Sequence, residues 1–288
     1  MDQRLADLLK LLELEQLEVN LFRGESRDTG APQVFGGQVL GQALSAAGAT
    51  VEGGRIVHSL HAYFLRRGDC TAPIVYEVDR SLDGHSFANR RVVAIQHGAQ
   101  IFNMTASFQG AESGFEHQID MPQVPTPEEL ESAAGPPAAV LAGLPERVRR
   151  FFEQPRPFEF RLVQPIDYLR PRREAPRRQI WLRAVAALPD DEMLHRRLLA
   201  YVSDFFLLDT ANMPHGTSPL RSGVVMASID HALWFHRTLR ADDWLLYDME
   251  SPSASGARGF ARAQVFARDG RLVASAAQEG LLRPKKDP

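Results

Sequence analysis

Three polar side chains stand where their neighbours are apolar or small. Asp204 lies within LLAYVSDFFLLD, Ser228 within VVMASIDHALWF and Gln278 within ASAAQEGLL. A carboxylate among Leu198, Leu199, Phe205 and Phe206 costs several kcal/mol to bury unless it is hydrogen-bonded or put to use. An amide in a strand-like run of small residues, Ala274 to Ala277, has no packing reason to be there. A carboxylate base, a hydroxyl, and an amide that both donates and accepts are together suited to holding and deprotonating a water. Each also has a plain structural reading: an Asp on a polar seam, a strand Ser bonded to backbone, a Gln serving as a strand partner. Ser228 taken alone favours the plain reading. No G-x-S-x-G elbow surrounds it, so it is not read as an activated nucleophile.

Other candidates are weaker. In VHSLHAYFL the odd spacing of His58 and His61 puts them on opposite faces of a strand. A buried His58 is a rival general base, against the plain reading of a hydrogen-bonded core histidine. His215, His231 and His236 show no repeated ligand spacing with Cys or acids, so no metal site is expected. Cys70 follows Asp69 at a turn, without a triad signature. FGGQ lacks the Lys and later glycines of a phosphate loop, so no nucleotide cofactor is expected. SASGARG ends in Arg258, which reads either as a phosphate contact or as a plain hairpin.

The elements that must position these residues fall into two similar halves. Residues 3 to 18 have helical periodicity, with Leu5, Leu8, Leu9, Leu12 and Leu14 on or near one face. After NLFRGES and a Gly/Pro-rich turn, DTGAPQ, a helix opens at Gly36–Gly37. It is apolar or small almost all round, and so is expected to be buried. Four strands follow, separated by turns at Gly68-Asp69, Asp83-Gly84 and His97-Gly98. Residues 112 to 158 are rich in proline and acids and read as a linker with one or two short helices. The second half repeats the plan: two strands, one long helix over DEMLHRRLLAYVSDFFLLDTANM, then four strands, of which GVVMASIDHALWFHR is one. Phe64 and Phe235 stand 171 apart, as do Arg66 and Arg237. Arg90 and Arg262 stand 172 apart, as do Gly98 and Gly270. Each half is thus a buried helix followed by an antiparallel meander, an α+β double hotdog paired as a pseudo-dimer. The expected division is 1–111, a linker over 112–157, and 158–288. At the same spacing Gln278 falls on Ala106, and the first helix carries no carboxylate. The polar trio therefore belongs to the second half alone.

With 288 residues, 44% hydrophobic and 24% charged, the chain has the composition of a globular protein with a substantial core. A net charge of −3 gives no basic field for nucleic acid or an anionic membrane. One cysteine excludes an internal disulfide framework and fits a reducing compartment. The amphipathic, acid-bearing N-terminus has neither a signal peptide's apolar run nor a membrane span, and the expected location is cytoplasmic.

The segments FRGES, QVFGGQVLGQAL, VHSLHAYFLRRGD, MTASFQ, IDHALWFHR and SASGARGF…GRLVAS…QEG resemble the acyl-CoA thioesterase II family, often called TesB. The resemblance runs from about residue 3 to 285. It implies a double hotdog that hydrolyses acyl-CoA to free fatty acid and CoA without a cofactor. It also implies homo-oligomers, dimers or tetramers of double hotdogs. The family's catalytic Asp, Thr or Ser, and Gln fall on Asp204, Ser228 and Gln278. Ser228 keeps the hydroxyl of the more usual Thr and lacks its methyl. A His at the place of His58 ranks below the trio. Two alternatives stay open: a non-catalytic acyl-CoA-binding double hotdog, and a hydratase. Hotdog hydratases carry an Asp–His pair on one helical segment, and no D-x4-H pattern follows Asp204.

Overall fold

Asp2 caps the first helix, α1 (Gln3–Leu12), by accepting the Arg4 N–H at 2.9 Å. Leu5, Leu8 and Leu12 are buried along one face. The helix stops at Leu12 rather than reaching residue 18. The buried periodicity ends there, and Leu17 is exposed in the hairpin of β1 (Glu15–Glu18) and β2 (Leu21–Gly24). The computed structural model describes residues 2–28, 30, 33–133, 135–167, 171–217 and 223–285. Part of the DTGAPQ turn lies outside them.

The expected buried helix is α2 (Gly36–Ala49), with ten of its residues buried. Its interior amides are satisfied: Gln42 Nε2 donates to the carbonyls of Leu11 (2.7 Å) and Glu25 (2.8 Å), and Tyr76 OH donates to Gln42 Oε1 (2.6 Å). Around it run β3 (Ile56–Phe64), β4 (Ile74–Asp83), β5 (Phe87–Gln96) and β6 (Ala99–Gln109), in spatial order β2-β4-β5-β6-β3, so only β4 to β6 form the expected meander and β3 lies on the far side of β6, next to the second half. After the short helices α3 (Ala138–Leu141) and α4 (Glu146–Glu153), the second half contains β7 (Phe158–Leu162), β8 (Arg177–Ala184), α5 (Glu192–Val202) and α6 (Leu207–Asn212). It continues with β9 (Val224–Ser228), β10 (Asp230–Phe235), β11 (Leu245–Ser255), β12 (Arg258–Ala267) and β13 (Leu272–Pro284), in spatial order β10-β13-β12-β11-β8-β7. Antiparallel pairing of β3 with β10, Leu60 opposite Leu233, joins the halves into one curved sheet. The arrangement is the expected double hotdog, with α2 packed directly on α5.

Two long elements of the sequence reading are broken. The helix expected over residues 191–213 is α5 and α6 separated by Ser203–Phe206, with Phe206 in the left-handed region at φ 66°. A bulky residue there cannot continue a right-handed helix. The strand expected over residues 223–237 is β9 and β10, separated at Ile229. Ile229 N–H donates to Glu279 O (2.9 Å), and Glu279 N–H donates to Asp230 Oδ1 (2.5 Å). Both breaks fall beside candidate residues, Asp204 and Ser228.

The repeat holds with one slip. Gly98 and Gly270 both turn their hairpins at positive φ, 73° and 89°. Ala106 pairs with Arg90 as Gln278 pairs with Ala261, so Ala106 is the counterpart of Gln278. The counterpart of Arg90 is therefore Ala261, not Arg262, which takes the place of exposed Arg91. A slip of one residue moves a strand side chain to the other face. Arg90 is only 1% exposed and ties the end of α2, with Nε donating to Thr50 Oγ1 (2.8 Å) and Nη2 to Thr50 O (3.0 Å) and Asp83 (2.5 Å). In this pairing the polar side chain stands on β5 in the first half, as Arg90 opposite Ala106, and on β13 in the second, as Gln278 opposite Ala261.

Candidate active site

The break after α5 turns the Asp204 carboxylate toward the start of α2, in the other half. Oδ2 accepts the Gly37 N–H at 3.0 Å, and Oδ1 accepts from Gln278 Nε2 at 2.8 Å. Glycine is required here by close approach: a Cβ on Gly36 would lie 2.7 Å from Asp204 Oδ2, and one on Gly37 would lie 2.1 Å from Tyr201 O. Ser228 ends β9, opposite Gly280 of β13, and its Oγ lies 3.1 Å from Gln278 Nε2. The three residues picked from sequence, with Gln278 74 and 50 positions from its two partners along the chain, therefore form one hydrogen-bonded cluster.

Gln278 is 1% exposed and sits behind the other two. Asp204 and Ser228 line a cavity of roughly 680 Å³, together with Phe35, Gly36, Phe64 and Phe205. Aromatic packing builds the wall beside Asp204: Phe35 lies 4.5 Å from Phe205, and Phe160 lies 5.4 Å from Phe206, measured between ring centroids. Burial pushes the Asp204 carboxyl up to about 6. The hydrogen bonds from Gln278, Gly37 and Ser228 oppose that rise, and the charge of Asp209 adds to it.

Sequence reasoning considered His231 only as a metal ligand, and the structure puts it in this cluster. Its ring is fully buried, with Nδ1 3.2 Å from Gln278 Nε2 and Nε2 2.9 Å from Ser203 Oγ. Burial lowers its pKa to about 4, so the ring is neutral at physiological pH. Ser203 Oγ donates to Ala200 O (3.0 Å) and so accepts from His231 Nε2–H, which leaves Nδ1 to accept from Gln278. The signal was the alternation in DHALWF, which puts His231, Leu233 and Phe235 on the inward face.

His58 is elsewhere. It lies at a bulge in β3, its Nε2 2.8 Å from Ser107 Oγ and its ring edge-on to Phe87 in the first half. Desolvation, with Arg196 second, lowers its pKa. It does not line the cavity. Arg258 belongs to the β11–β12 hairpin and donates to Glu279 (2.8 Å).

Residues 25–109 match the family described as acyl-CoA thioesterase N-terminal domain, and residues 150–281 match acyl-CoA thioesterase. The chain is similar to Acyl-CoA thioesterase 2 of Haemophilus influenzae, 42% identical over 283 residues that cover 98% of this chain and 99% of the relative. Among solved structures it is similar to the acyl-CoA thioesterase II TesB2 of Mycobacterium marinum, at 42% identity and TM-score 0.78, covering 98% and 100% of the two chains. A hot dog fold protein from Alicyclobacillus acidocaldarius, 19% identical with TM-score 0.77, shares the fold over 98% of each chain.

Proposed function

The chain belongs to the acyl-CoA thioesterase family, a hydrolase acting on acyl-CoA thioesters, and we propose that it works by water attack with Asp204, Ser228 and Gln278 as its machinery. The observation that carries this reading is the bridging amide. One Gln278 NH2 group lies within hydrogen-bond distance of both Asp204 Oδ1 and Ser228 Oγ, and those two groups face the cavity. Asp204 takes a proton from a water that Ser228 orients against the thioester carbonyl. Gln278 gives one N–H to neutral His231 Nδ1 and the other to Asp204 Oδ1, and the Ser228 hydroxyl bonds the same carboxylate, so the amide fixes the base from behind. This departs from the sequence expectation that the amide itself holds the water. A carboxyl titrating near 6 is ionised at neutral pH and more basic than an ordinary Asp, as a general base requires. Thiolate leaves readily, so no strong acid is needed.

The acyl chain fits the aromatic and aliphatic part of the cavity, lined by Phe35, Val39, Phe64 and Phe102. The anionic CoA phosphates meet exposed Arg66 and Arg67 at its border. Cytoplasmic placement and assembly into dimers or tetramers belong to the same proposal. Light scattering tests the assembly.

Free-thiol release from a chain-length series of acyl-CoA, followed with a thiol reagent, tests the reading. Hydrolysis releases CoA thiol, whereas hydration or mere binding does not. Release by wild type that Asp204→Asn retains in full would reject the assigned machinery and leave the activity standing.

A further inference from the structure

Arg178 of β8 lines the same cavity, yet it is only 8% exposed. Its Nε is enclosed without a hydrogen-bond partner, and its guanidinium makes no ion pair among the described residues. Its neighbour Arg177 shows the contrast: it is exposed and doubly bonded to Asp248, at 3.1 and 2.9 Å. Arg178 points inward from the next strand position and has no such partner. A guanidinium stays charged at any accessible pH, so burial cannot be relieved by losing the proton. An enclosed and unsatisfied donor of this kind is strongly unfavourable. Asp209 of α6 lines the same cavity and feels the Arg178 charge, which opposes the upward push of desolvation on its carboxyl. That influence acts through space, with no ion pair formed.

We infer that Arg178 is a subsite for an anionic group of the substrate, a carboxylate or phosphate whose paired oxygens satisfy the guanidinium inside the cavity. The inference rests on the thioesterase reading of that cavity. Two parts of an acyl-CoA carry such oxygens: the CoA moiety, and the far end of an acyl chain that ends in a carboxylate. Planar, bidentate pairing with carboxylate or phosphate is the geometry a guanidinium favours. The chemistry is therefore shared, and the source is decided by comparing substrates.

The experiment measures kcat/KM for wild type, Arg178→Met and Arg178→Lys on three thioesters of equal acyl length. Decanoyl-CoA has phosphates only, sebacoyl-CoA has phosphates and a terminal carboxylate, and decanoylpantetheine has neither. A carboxylate subsite loses about tenfold to a hundredfold on sebacoyl-CoA alone, the scale of one charge-assisted pair. A phosphate subsite loses that much on both CoA thioesters and spares decanoylpantetheine. Lysine, lacking the bidentate fork, restores part of the loss in either case. Equal loss on all three substrates, or no loss on any, overturns the inference.

Thermal melts provide an independent readout. Removing a buried cation that serves substrate rather than fold raises Tm in Arg178→Met. A variant that melts lower or fails to fold assigns Arg178 to the architecture and also overturns the inference. Calorimetric titration with sebacate, decanoate and CoA reads the same arms without turnover. Absence of thiol release by wild type would thus defeat the thioesterase reading while leaving the anion subsite open to its own test. Unchanged titrations in Arg178→Met would defeat the subsite alone.

Discussion

Replacing Asp204 with asparagine separates the cost of this carboxylate from its use. The folded-state carboxyl titrates near 6, against about 3.9 in an unfolded chain. A displacement of about two pH units corresponds to about 3 kcal/mol against the ionised native state. Because the folded pKa is the higher one, the native protein binds more protons than the unfolded chain between about pH 4 and 6. Stability from this group is therefore complete below pH 4 and falls as pH rises through 6. The Asp204→Asn variant carries no titrating proton at this position and escapes that loss. Its amide, however, cannot accept from both Gly37 N–H and Gln278 Nε2, and one mismatched contact costs about 1–3 kcal/mol at every pH. The variant is thus expected to be less stable than wild type at pH 4.5. It should regain most of about 3 kcal/mol relative to wild type by pH 7.5, in urea denaturation with unchanged m-values. Its kcat should be about 10²–10⁴-fold lower, and wild-type kcat/KM should rise with pH through about 6. A stability difference that does not change with pH, or a flat wild-type profile between pH 5 and 8, would refute the buried-base argument.

Gln278→Glu puts a second carboxylate against Asp204, so the rising limb of kcat/KM should move to higher pH, read from a pH series on decanoyl-CoA. Gln278→Ala should cost roughly 2–4 kcal/mol in transition-state stabilisation, the scale of losing one preorganised donor. Ser228→Ala should lower kcat more than it raises KM if the hydroxyl orients water; a change in KM alone would make it a substrate contact. His231→Leu frees the Gln278 amide to rotate and should move the same pH limb upward with KM unchanged, whereas a purely structural His would alter Tm without moving the limb. Gly37→Ala forces a methyl onto Tyr201 O and should destabilise by more than the usual ~1–3 kcal/mol of overpacking, measured by denaturation.

Periodicity and repetition in the sequence were enough for the plan of the fold. The apolar and small residues of Gly36–Ala49 could only be a buried helix, and turn chemistry placed the hairpins at Gly98 and Gly270. The same logic singled out Asp204, Ser228 and Gln278, because a polar group in an apolar run conflicts with its surroundings and local pattern reveals the conflict. Tertiary structure decided where those groups point. Nothing in DFFLLD announces that Phe206 adopts a left-handed conformation, since only packing against Phe160 and the neighbouring rings makes it tolerable. Without that break Asp204 would remain on a continuous helix and would not face Gly37. The partnership of Gly37 with Asp204 spans 167 residues and two halves. The role of His231 depends on Ser203 and Gln278 arriving at its two nitrogens, and the sequence shows only that its strand face is inward. Nothing in the run RRQIWLRA distinguishes Arg178 from Arg177. The isolation of Arg178 is a property of what folds around it, because burial and lack of a partner exist only once every other chain segment has taken its place.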